Sequence, residues 1–386
     1  AYYLARSGAE AVADYIMKNP EPDKVAELLD KESDSVELGQ GTFKVKVSKP
    51  EAGGLLIESI GNVDGFEKTV KLTLLPHGLG DFAVFCNSIV SLSGNAEIQG
   101  NVGTNATESS SINLGGNSDI VGSVQIGPGG DPETVVTTSK TTSITDISPL
   151  DSERKYEVPE FPTFPESLPE LNIDKLQIDS GSDVTLSTTA AKLTLDVKKG
   201  NVIITDDCYC DNIVVENNGS LTINVGDNEN DVRNIRVGDL SASGNIVING
   251  KGKLNLYVDN IFKLKQNGNV KNGGRVDAVM MYYKGNSIEL NGGEFCGTIF
   301  SNSASFELTG NGNIKGSIIA TGANIENSMR GGAAIDGVFY APYSNINFKS
   351  DSKVNGLVVA NEVVISGNFS LEYCSKVDFP YDEEEI

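Results

Sequence analysis

The sequence has one histidine, no tryptophan and four methionines in 386 residues. With His77 as the sole imidazole, a nucleophile–histidine triad or a His-based acid/base pair would rest on that one residue, and no Cys/His zinc spacing is present. His77 follows Pro76 and precedes Gly78, a turn setting expected at the surface. No P-loop, GxSxG or HExxH stands anywhere in the chain, which removes three common bases for catalysis. Long apolar runs are missing too: no stretch of about 18 residues is apolar enough to span a bilayer. No signal peptide opens the chain, and Ala1 in place of Met fits a processed or trimmed product.

Cysteine is sparse: Cys86, Cys208, Cys210, Cys296 and Cys374, with no CxxC among them. An odd count leaves at least one thiol unpaired unless it bridges two chains. Cys208 and Cys210 would share one face of a strand, and most of the five are expected to act as small buried hydrophobes. Their pairing stays open. Basic residues are outnumbered, 30 Lys and Arg against 53 Asp and Glu, a formal charge of −23. Such a field repels phosphate backbones and anionic headgroups, so nucleic acid is excluded as a partner. The run Asp382-Glu383-Glu384-Glu385 is expected as a solvated tail over 381–386.

Glycine is abundant instead. The chain has 42, above the usual share of about 7%. They cluster with Asn, which points to many tight turns between short strands. With few aromatics, the core falls to Ile, Val and Leu. At roughly 100–200 residues per domain, the length allows two or three domains.

The first 20 residues carry Ala5, Ala9, Val12 and Ile16 at steps of four, three and four, one narrow apolar stripe on a helix. Pro20 ends it, and a second short helix follows from Pro22. Three antiparallel strands are expected next: Gly41–Val47, Leu55–Val63 and Lys68–Leu74. Asp64-Gly65 between the last two is a hairpin signal. The helix spacing AR-x-x-A-E-A, with Ser59, Gly61, Val63, Gly65, Val70, Leu72 and Leu74 in the hairpin, resembles type IV pilins of the PilX-type minor class. The resemblance covers about the first 75 residues. It implies that this helix is the soluble half of a longer one, whose apolar half anchors the subunit in membrane and then packs in a filament. That half, with the family's processing site and conserved glutamate, is not in this sequence, so the family implies a membrane link only through a missing N-terminal segment. The stripe Ala5, Ala9, Val12 and Ile16 is expected as the pilus-packing face toward other pilin subunits.

Beyond residue 80 one pattern recurs: apolar, any, Gly, any, apolar. Phe295-Cys296-Gly297-Thr298-Ile299 is followed at Gly316, Gly337 and Gly356, spaced 19, 21 and 19 residues. Val276–Met280 fits with Ala278 for Gly, and early copies centre on Gly100 and Gly122. Each period holds two or three strands too short to stand as hairpins. Coils of about 20 residues that stack strand on strand satisfy them, which predicts a parallel β-helix; a β-sandwich is the competing fold. The recurring Gly is placed at a corner needing positive φ or close backbone approach. Residues 128–172, rich in Pro, read as a loop or an extended strap lying along the helix flank. The closing motifs Gly337-Val338-Phe339-Tyr340-Ala341-Pro342 and Gly356-Leu357-Val358-Val359-Ala360 resemble a domain of large pilin-like surface proteins. The coils are also similar to those of bactofilins.

The expected organisation is therefore a mainly β chain. A pilin-like α+β head spans 1–80, a parallel β-helix 81–380 and an acidic tail 381–386. No catalytic residues, cofactor or metal are assigned. Asp206-Asp207 and Asp227–Asp231 are the acidic clusters of the coils, and the second lacks the Gly of a calcium loop, Val232 standing in its place. The expected function is that of a non-enzymatic minor pilin, extracellular on the cell surface or pilus. It would initiate assembly or adhere to a host-surface or glycan ligand. The alternative is a tethered carbohydrate-binding or carbohydrate-cleaving β-helix with an aromatic groove near Tyr282, Tyr283, Tyr340 and Tyr343.

Overall fold

A computed structural model describes residues 1–19, 22–49, 55–74 and 79–374. His77 and the tail 381–386 lie outside the described residues. The chain forms two compact units, Ala1–Leu79 and Gly80–Ile386.

In the first unit, helix α1 (Tyr2–Lys18) is followed by α2 (Pro22–Ala26) and by β1 (Val36–Leu38), β2 (Gly41–Ser48), β3 (Leu55–Val63) and β4 (Phe66–Leu74). α1 ends where Asn19 turns its side-chain Nδ2 back onto the Tyr15 carbonyl at 2.8 Å. The four strands pair in sequence order, all antiparallel. The sheet has one strand more than the sequence predicts, because Val36–Leu38 adds an exposed edge strand with no alternating pattern to reveal it. Asp64 and Gly65 adopt φ of 51° and 84°, the two positive values a two-residue hairpin turn needs. They set the register Val63↔Phe66.

The second unit is a parallel β-helix of three faces, as the glycine period predicts. Strands at equivalent places of successive coils pair in parallel: Phe295 with Ile314, Ile314 with Ile335, Ile335 with Val354. Inward Ile, Val, Leu and Phe form one continuous apolar column through the coils. Gly297, Gly316, Gly337 and Gly356 stack at one corner with φ between 122° and 150°. A Cβ on Gly337 would sit 2.1 Å from the Gly316 carbonyl oxygen, and one on Gly356 1.9 Å from that of Gly337. Each glycine thus makes room for the next coil.

The order of stacking differs from the order of the chain. Val358–Ala360 pairs with Val84–Cys86, Val363–Gly367 with Val90–Gly94, and Ser370–Glu372 with Glu97–Gln99. The first coils therefore sit on the end of the last ones. The chain then returns to the far end through residues 150–172, an extended strap. The rest of the segment expected as loop is structured: Asp131 caps the short helix Pro132–Val135, and Val136–Thr138 pairs with Ile112–Leu114. Pro132 fits because the first turn of a helix needs no amide from it. At the far end the array closes with an antiparallel strand, Asp183–Thr189, on Lys192–Lys199.

Candidate functional site

The helix stripe singled out from the sequence has its own sheet as partner. Ala5, Ala9 and Ile16 are 0%, 1% and 6% exposed. Ala9 and Ile16 pack with Val45, Val47 and Ile57, and Val12 lies half-buried against the same cluster. The stripe thus faces the sheet of its own unit, and of its four side chains Val12 keeps the most open surface. The small side chains serve close approach: a Cβ on Gly8 would lie 2.5 Å from the Phe43 ring, and one on Gly61 2.3 Å from the Ala1 carbonyl oxygen. The opposite face of α1 presents Tyr3, Ser7, Ala11, Asp14 and Lys18, all exposed. Two exposed ion pairs run along the helix, Arg6–Glu10 at 2.7 Å and Lys18–Asp14 at 2.9 Å.

The acidic clusters of the coils are engaged locally. Asp207 accepts from Arg233 Nη1 at 2.8 Å and from Asn234 N and Nδ2 at 3.1 Å each. Burial works against its charge, but these bonds outweigh it and hold the carboxyl below its usual range. Asp231 accepts from Asn228 N at 3.0 Å and Nδ2 at 3.3 Å, so the loop 227–231 closes on itself. Elsewhere opposite charges pair between neighbouring coils, as in Glu307–Arg330 at 2.7 Å and Glu289–Lys263 at 3.1 Å. Among the described residues no group of three or more His, Cys, Asp or Glu could hold a metal ion. The cavity beside Cys208, Asp206 and Lys175 measures about 20 Å³, the room of one water.

All five cysteines are free, and Cys86, Cys208, Cys210 and Cys296 are buried. Cys208 and Cys210 share the inner face of one strand, with Tyr209 between them outside. Burial pushes the Cys208 thiol up to about 12 and that of Cys210 up to about 11. Both therefore stay protonated and serve as core side chains.

The expected aromatic groove is not open. Tyr283 points into the core, its hydroxyl reaching the Asn260 and Ser287 carbonyls. Tyr282 and Tyr340 belong instead to an outward ladder on one face, in register through Tyr209, Arg236, Tyr257, Tyr282, Phe300, Ile319, Tyr340, Val359 and Phe85. The strap covers this ladder. Phe164 meets the Tyr257 ring at 5.0 Å, Phe161 the Phe300 ring at 5.1 Å, and Tyr156 the Phe85 ring at 5.0 Å. Lys284 Nζ lies 3.9 Å from the Phe164 centroid. Arg236 Nη1 donates to the Pro165 carbonyl at 2.8 Å, and the Tyr340 hydroxyl donates to that of Glu157. Sequence reasoning missed the ladder. Its signal was an aromatic or branched residue at the same outward place in successive coils. Of the four tyrosines only Tyr343 is exposed, at 41%.

Among the described residues no helix is long and apolar enough to cross a membrane. A family model described as a domain of unknown function (DUF7305) matches residues 209–330, less than half of the chain. Comparison with the curated proteins found no match. Among solved structures, the competence-associated pilin ComZ from Thermus thermophilus is similar at 10% identity and a TM-score of 0.26, covering 98% of this chain and 92% of that one.

Proposed function

We propose that this chain is a type IV pilus-associated structural protein, a pilin-like minor subunit that carries a β-helix and is not an enzyme. The observation that carries the reading is the first unit. Its helix lies on an antiparallel sheet through Gly8 and Gly61, and its hairpin turns at Asp64-Gly65, where the sequence resembles minor pilins. The coil unit supports a structural role because Glu289, Glu294 and Glu307 are tied into rung-to-rung ion pairs and its aromatic ladder is covered. Contact with neighbouring subunits would fall to the outward face of α1, through Tyr3, Ser7 and Ala11, rather than to the stripe facing the sheet.

The test is immunogold electron microscopy of the full-length protein in cells that assemble such filaments. Label on filaments, lost in a Ser7→Arg, Ala11→Arg variant of unchanged abundance, is the expected result. Label spread over the cell surface away from filaments, or filament label that survives the double substitution, would overturn it.

A further inference from the structure

We propose that two copies of this chain exchange their first coils, residues 80–149 of one copy completing the array 173–374 of the other. The interaction surface is the internal junction where the first coils stack on the last, and the partner that fits it is a second copy of this chain.

The junction joins segments far apart in sequence. Asn95 donates to Asn368 Oδ1 at 2.9 Å, Ser88 to the Asn361 carbonyl at 2.7 Å and Asn87 to the Pro342 carbonyl at 2.9 Å, across 273, 273 and 255 residues. Its chemistry is that of any other rung. Val84, Val90 and Ile98 on one side and Val358, Val363 and Leu371 on the other are at most 1% exposed, and the strands pair in parallel as elsewhere. Nothing in it distinguishes the block of the same chain from the identical block of another.

One covalent link crosses between block and array, the strap 150–172. Prolines at 159, 162, 165 and 169 bar much of it from a ladder. At its start Asp151, Ser152 and Glu153 are exposed and can serve as the hinge. During synthesis the block is made long before residues 353–373, the strands it must meet. Until they pair, both edges carry open backbone donors and acceptors, which pair with any matching edge in reach. Closing the contact within one chain costs loop entropy that grows slowly with length, while meeting a second copy depends on concentration. Exchange therefore rises with protein concentration during folding, the behaviour of domain swapping.

The test uses the full chain in two differently tagged forms, one carrying Ser93→Cys and the other Ser366→Cys. Residues 93 and 366 are register partners across the junction, close enough for a disulfide. The two forms are unfolded and refolded together, then oxidised and run without reductant beside wild-type chain. A crosslinked heterodimer, at twice the chain mass and increasing with protein concentration, is expected. The double variant Ser93→Cys, Ser366→Cys refolded dilute should crosslink within one chain. No heterodimer while that control closes would overturn exchange. Failure of the control to close would overturn the junction itself. The pair Asn95→Cys and Asn368→Cys repeats the measurement should the serine variants not refold.

Discussion

At the scale of the residue, glycine is what fixes the coil. Gly337 and Gly65 both have positive φ, but only Gly337 has a backbone carbonyl where a Cβ would go; nothing lies within 4 Å of one on Gly65. Gly337→Ala should lower the stability of the coil unit by at least about 2 kcal/mol, backbone strain plus a clash that a main chain cannot relieve. Gly65→Ala should cost the first unit roughly 1–2 kcal/mol, the strain alone. Denaturant titrations of the two variants check the difference. Asp207 gives a second prediction. Its carboxyl is held below the usual range by Asn234 and Arg233, so its contribution is full above its unfolded pKa. It is lost as the pH falls through the lower folded value. The gap in Tm between wild type and Asp207→Asn should therefore be largest near neutrality and close in acid; a gap that does not change with pH would contradict it.

Elements were legible in proportion to how local their cause is. The helix, the hairpin and the glycine corners follow from spacing within a few residues, and they stand where the sequence put them. The strap shows the limit. Its prolines announced an extended segment, but not that Phe161 and Phe164 would lie on Phe300 and Tyr257, because those partners come from coils nearly 100 or more residues away. The helix stripe was visible as a stripe, yet its period cannot say whether a sheet of the same unit or a neighbour covers it. The strap also carries a prediction. Phe164 is 5% exposed, and Phe164→Ala should cost about 3 kcal/mol of local packing. Tryptic cleavage at Lys155 should then speed up on the order of a hundredfold if local opening controls access. Unchanged cleavage would mean the ring does not hold the strap.

At the scale of the molecule, two cores of different kinds stand in one chain. The core of the first unit is the small cluster of Ala9, Ala13, Ile16, Val45, Val47 and Ile57, whereas the coil unit has one continuous column. Denaturation should show two transitions, with the helical circular dichroism of α1 lost in the first and the β signal in the second. A single coincident transition would contradict this. The stacking order was the feature least legible in the sequence. Period and composition mark each coil, but every rung edge is chemically like every other, so they cannot say which coil follows which.

That order has a mechanical consequence. The chain enters the coil unit at Gly80 and leaves its described part at Cys374, and the Tyr373 hydroxyl donates to the Gly80 carbonyl. Entry and exit are thus neighbours at an interior level of the stack. Tension between those two points is borne where they meet, by Tyr373 and the adjoining strands. The coils above and below lie outside the load path and keep their pairing while the linkage between them is pulled.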